Sequence, residues 1–99
     1  MPREFSLHVT TAPDVLIRII GDEAMILNLK SELYLGLNPV GTRTWSVLHS
    51  APTIQAAYES LLDEFDVEPL RLREDMNEFL DQLLEQGLIE LAPGEALAG

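Results

Sequence analysis

Three short apolar runs separated by turn residues are followed by three longer amphipathic stretches. Val15–Ile20 reads VLIRII, Ala24–Leu29 reads AMILNL and Leu33–Leu37 reads LYLGL. Each run is shorter than a typical helix and is bounded by turn residues, so the pattern predicts three antiparallel strands in a meander. Gly21-Asp22 lies between the first two and suits a two-residue type II′ turn, which needs glycine first. Further upstream, Phe5–Val9 reads as an arm or an extra strand.

The hydrophobic period then lengthens. Asn38 is a good N-cap, and Pro39 fits the first helical position, where its missing N–H costs nothing. Val40, Gly41, Thr44, Trp45 and Leu48 fall near one face of this first helix, which should end near Ser50, ahead of Pro52. Gly41 lets that face approach a neighbour closely, and Trp45 and Leu48 are expected in the core. Thr53 caps a second helix with Ile54, Ala57, Tyr58, Leu61, Leu62 and Phe65 on one stripe. The segment DVEP at Asp66–Pro69 breaks it. Pro69 opens a third helix that runs to about Gln86, with the stripe Leu72, Met76, Phe79, Leu80, Leu83 and Leu84. Gly87 is placed for a left-handed stop, with Leu88 packing back. The tail Ala92–Gly99 is expected to fray.

The order β-β-β-α-α-α predicts a single α+β domain over residues 1–99, with its folded core at about 14–91. It is a small winged-helix-like domain, a three-stranded antiparallel sheet followed by three helices. A sheet this small leaves an edge strand without a partner.

Composition narrows the function classes. Apolar residues make up 46% of the 99-residue chain, too many for a disordered segment. Six Lys+Arg against 17 Asp+Glu leave a formal charge of -11. Such a surface repels phosphate backbones and anionic lipids, so neither nucleic acid nor a membrane is the expected partner. No apolar run approaches the roughly 20 residues of a membrane span. MPREFSLHVT lacks the apolar segment of a secretion signal. The absence of cysteine rules out disulfides and thiolate metal sites and fits a cytoplasmic location.

Candidate chemistry is sparse. His8 and His49 lie far apart, in unrelated predicted elements, and a metal site needs more ligands at workable spacing. Glu74, Asp75, Glu78, Asp81 and Glu85 lie mainly off the apolar stripe of the third helix, as a solvated face does. Ser6, Ser31, Ser46, Ser50 and Ser60 have no neighbouring base or nucleophile elbow. Gly21, Gly36 and Gly41 form no phosphate loop. The expectation is a protein without metal, cofactor or enzymatic activity. A winged-helix DNA-binding regulator is the alternative. Against it, the third helix sets Arg71 and Arg73 against Glu68, Glu74, Asp75, Glu78, Asp81 and Glu85, the wrong balance for a major groove. An exposed strand edge beside an apolar helix face instead suits an extended peptide, held by main-chain hydrogen bonds and side-chain pockets.

Three segments, AMILNLKSELYLGLNPVGTRTW, PTIQAAYESLLDEFDV and EDMNEFLDQLLEQGLIE, together resemble the PqqD-like family over roughly Asp14–Leu91. The resemblance rests on Tyr34, Leu37 and Asn38, on the Gly-x3-Trp of Gly41 and Trp45, and on Asp75, Phe79, Leu83, Gly87 and Leu88. The chain departs from the pattern at Glu32, where a glycine is frequent, and at Leu33, where a polar residue is more usual.

Members of the family are leader-peptide recognition domains for ribosomally made, modified peptides, or RiPP recognition elements. The resemblance therefore implies a stand-alone binder of a precursor peptide, whose leader adds as a strand to the third predicted strand, in a groove beside the third helix. Leu33, Tyr34, Leu35 and Gly36 would supply the strand. Leu72, Met76, Phe79, Leu80 and Leu83 would supply the groove, Tyr34 lying on the opposite sheet face from Leu33 and Leu35. Arg73, at the groove's expected rim, would meet a leader carboxylate. The peptide would be presented to a maturation enzyme, a radical SAM enzyme in a PQQ-like pathway or a leader peptidase in a lasso-like one.

Overall fold

The computed structural model describes residues 5–93. Along them run β1 (Leu7–Thr11), β2 (Val15–Ile20), β3 (Glu23–Asn28), β4 (Tyr34–Leu37), α1 (Pro39–Ser50), α2 (Ile54–Glu64), α3 (Pro69–Glu85) and β5 (Ile89–Pro93). The expected meander forms an antiparallel sheet in the order β2-β3-β4, and the three helices follow it. Gly21 has φ 66 and Asp22 is not left-handed, while Ile20 pairs with Glu23. That is the geometry of a two-residue turn with glycine at its first central position.

The second sheet is a finding of the structure. β1 and β5 pair antiparallel, from Leu7 opposite Pro93 to Thr11 opposite Ile89. Ala92 and Pro93 therefore belong to a strand rather than to a frayed tail, and the rest of that tail lies outside the described residues. The upstream strand also begins later than Phe5. The Phe5 carbonyl accepts the Gln55 N–H at 2.7 Å, and its buried ring meets Tyr58 edge-on at 6.0 Å. Phe5 thus plugs the core ahead of the strand.

One core joins the elements. Ala24, Ile26 and Leu37 enter it from the meander, Val9 and Ile89 from the second sheet. Trp45 and Leu48, Ile54 and Leu61, and Met76, Leu80 and Leu83 enter it from the three helices. Val40 and Leu84, placed on apolar stripes by their spacing, are exposed at helix surfaces, and Val47 is buried instead.

The link from β3 to β4 hangs on Asn28. Its Oδ1 accepts the N–H groups of Lys30 (2.9 Å) and Ser31 (3.3 Å), an Asx turn. Its Nδ2 donates to the Gln86 carbonyl at 3.0 Å and so ties the turn to the end of α3. Gly87 follows with φ 68, and a side chain there would stand 3.2 Å from that same Nδ2. Glu32 closes the turn in the left-handed region, φ 64, which explains why glycine suits this position.

Candidate functional site

β4 is an edge strand, paired on one side only, with β3. Hydrogen-bonded and non-bonded pairs alternate in an antiparallel ladder. The Asn28 N–H donates to the Leu33 carbonyl at 2.9 Å, so the bonded phase falls on Asn28 and Leu33. With Leu27 opposite Tyr34, Ile26 opposite Leu35 and Met25 opposite Gly36, Leu35 is in a bonded pair while Tyr34 and Gly36 are not. The N–H and C=O of Tyr34 and Gly36 therefore point out of the sheet edge, where no strand of the described residues meets them.

Side chains alternate at right angles to this. Leu35 and Leu37 point inward, half-buried and buried, while Tyr34 and Gly36 point to the outer face. The strand stops because α1 starts on top of it. Asn38 turns its Oδ1 onto the Gly41 N–H at 2.8 Å, and the Thr42 hydroxyl donates to the Leu37 carbonyl at 3.3 Å. A β-carbon on Gly41 would sit 3.3 Å from that Oδ1, so glycine there lets the cap close. This is why the strand and the helix are joined so tightly.

Beside this junction lies a groove of about 240 Å³, walled by Val40 and Thr44 of α1 and by Leu72, Asp75, Met76 and Phe79 of α3. Three of the residues expected at the site thus meet there. Leu72 and Met76 form a buried floor, and Phe79 is half-exposed at the wall. Leu33 and Tyr34, 55% and 65% exposed, stand outside the groove. Leu80 and Leu83 have no exposed surface and support α3 from within the core.

Arg73 is elsewhere. Its guanidinium lies 4.0 Å over the Phe5 ring and 5.5 Å from that of Tyr58, a cation–π stack on the α2 side. The expectation that Arg73 lines the groove rim is corrected accordingly. Two aromatic faces hold this cation near a helix N-terminus despite the helix dipole. Arg71 is held by Asp75, one turn on, at 3.4 Å.

Arg43 grips Glu64 through two nitrogens, at 2.7 Å at the closest, pinning α1 to α2. That hydrogen bond holds the Glu64 carboxyl below its usual range.

The histidines share a neighbourhood, contrary to their separation in sequence, because β1 packs on α1. His8 Nδ1 lies 3.2 Å from the Ala51 carbonyl. His49 bridges the Trp45 carbonyl (2.9 Å) and the Thr11 hydroxyl (3.1 Å), and burial keeps its pKa below the ordinary value. Among the described residues no three His, Cys, Asp or Glu come together as a metal site, and no helix is long and apolar enough to cross a membrane.

Sequence reasoning missed Asn28 and Thr42, both buried and polar. The first had a signal: asparagine with Lys-Ser-Glu two to four residues on, between two strands, is turn chemistry.

The fold is similar to that of a solved structure described as TbiB1 in complex with the TbiA(beta) leader peptide. The TM-score is 0.73 at 29% identity, over 81% of this chain and 93% of that one. No curated protein matches the chain. The family model described as coenzyme PQQ synthesis protein D (PqqD) matches residues 23–89, more than half of the sequence, and the chain belongs to that family.

Proposed function

We propose that the protein binds the leader segment of a ribosomally made precursor peptide as an added strand on β4 and presents it to a maturation enzyme, without catalysing a step itself. The observation that carries this reading is the open edge at Tyr34 and Gly36, two residues whose backbone groups face outward beside an apolar groove. Strand addition uses such groups for affinity and adjacent pockets for selection. Peptide residues flanking the one opposite Gly36 would send their side chains inward, toward Phe79, Met76 and Leu72. Leu33, whose carbonyl is taken by the Asn28 N–H, would offer only its exposed side chain, and Leu80 and Leu83 would hold α3 in place from below. The leader-bound neighbour supports the same occupant. A DNA-binding role is disfavoured by α3, whose two arginines are engaged with Asp75 and with the rings of Phe5 and Tyr58.

The test uses synthetic precursors made from any short reading frames found by sequencing beside this coding sequence. At saturation one of them should slow hydrogen exchange at the Tyr34 and Gly36 amides and leave α2 unchanged. Gly36→Pro removes one outward N–H without breaking a β3–β4 hydrogen bond, and proline is tolerated at sheet edges. It should abolish that protection while the melting temperature stays close to wild type. Protection confined to α2, or full binding by the proline variant, would refute strand addition at β4.

A further inference from the structure

The outer face of the three-stranded sheet carries a second hollow, of about 430 Å³, at the turn end of the β2–β3 hairpin. Arg18, Met25 and Gly36 form one row across it, in register on adjacent strands, with Ile20, Glu23 and Asn38 at the turn side. Nothing lies within 4 Å of where a Gly36 side chain would be. The row is therefore open at its β4 end, with Met25 standing between Gly36 and Arg18.

Arg18 stands apart from the other arginines of the described residues. Arg43 holds Glu64, Arg71 holds Asp75, and Arg73 lies over Phe5. Arg18 has no ion pair among the described residues, although the chain carries 17 acidic groups. It stands among exposed Ile20 and Met25, where water is partly displaced and a guanidinium fork binds a carboxylate with two parallel hydrogen bonds.

We propose that this hollow is a specificity site for an acidic side chain of the bound peptide, carried by the residue paired with Gly36 and met by Arg18. The inference rests on strand addition at β4 and deepens it. A peptide residue opposite Gly36 shares its outward face, and glycine leaves the way clear for that side chain to lie across the row. Glu23, at the turn side, repels an acid there and confines it to the Gly36 row. The leader pattern is then apolar, acidic, apolar, the outer two entering the groove at Phe79. An acidic choice runs against the net charge of the whole protein, so it can come only from a local cation.

Selection from a library of random 12-residue displayed peptides tests this. Binders lost on Gly36→Pro are taken as edge binders. Among them Glu, the longer of the two acids, should be enriched at one position between two apolar ones, and Arg18→Glu should weaken them about tenfold and shift selection to Lys or Arg. Lys30→Glu changes the net charge equally, away from the hollow, and should leave the preference unchanged. Edge binders without the acid, or an equal effect of Lys30→Glu, would overturn the Arg18 site and leave strand addition standing. A library without edge binders would overturn both.

Discussion

β1 and β2 invert the usual relation between apolar sequence and burial. β1 reads LHVTT, with two apolar residues, and buries Val9 at 1% exposure. β2 reads VLIRII, apolar at five of its six positions, and buries none of them fully. The difference lies in what covers each strand. β1 is paired with β5 and packed by α1 and α2, while β2 is the outer edge of a sheet whose far face is bare. Apolar side chains that the fold leaves uncovered mark a surface on which something else acts. The same surplus runs across Leu16, Met25 and Tyr34, next to the open edge of β4.

The largest effect that separates the two regions is a truncation in each. Ile89→Ala, in the covered sheet, should lower stability by roughly 3 kcal/mol, because it opens a cavity in a packed core. Leu16→Ala, in the bare one, should change it by less than about 0.5 kcal/mol. Urea unfolding measures both, and equal losses would mean that the outer face is covered after all.

The contrast also shows what could be read from the sequence. The meander was legible because its runs are apolar, β-branched and separated by turns, all local signals. The three helices were legible from stripes such as Ile54, Ala57 and Leu61 and from caps at Asn38 and Thr53. β5 was not, because IELAP becomes a strand only by meeting β1 from the other end of the chain. The family match begins at residue 23 and stops at 89, so it leaves out β1, β2 and nearly all of β5. Within the candidate site, strand alternation separated Tyr34 from Leu35, and the fold decided that Tyr34 is the one facing outward. Alternation gave no means of knowing that Arg73 turns to Phe5, a residue brought close only by the fold.

Asn28 sharpens the comparison, since it joins the open sheet to the helix end that leads into β5. Asn28→Ala removes two acceptances in the turn and the donation to Gln86, and leaves part-buried backbone groups without these partners. The expected loss is about 2 kcal/mol by urea unfolding. Lys30→Ala, in the same turn but with an exposed side chain, should be near neutral. If the two variants match, the turn is held by its backbone alone and the two sheets are less coupled than the hydrogen bonds imply.

The smallest effect probes the same turn from the other side. Glu32 sits at φ 64, where a side chain crowds the backbone by roughly 1–2 kcal/mol. Glycine relieves that crowding but makes the unfolded chain freer, an opposing effect of roughly 0.5–1 kcal/mol. Glu32→Gly should therefore stabilise by about 0.5–1 kcal/mol, a rise in melting temperature of about 2–8 °C for a domain of this size. Removing a carboxylate from so acidic a chain raises stability for a different reason, so Glu32→Ala is the necessary companion. Alanine loses the charge and keeps the crowding. A gain with glycine and little change with alanine locates the strain in the backbone of the β3–β4 turn. Equal gains would assign it to charge repulsion, which belongs to the whole surface and not to the open sheet. Neither variant touches β4, so peptide binding at its edge should stay as in the wild type.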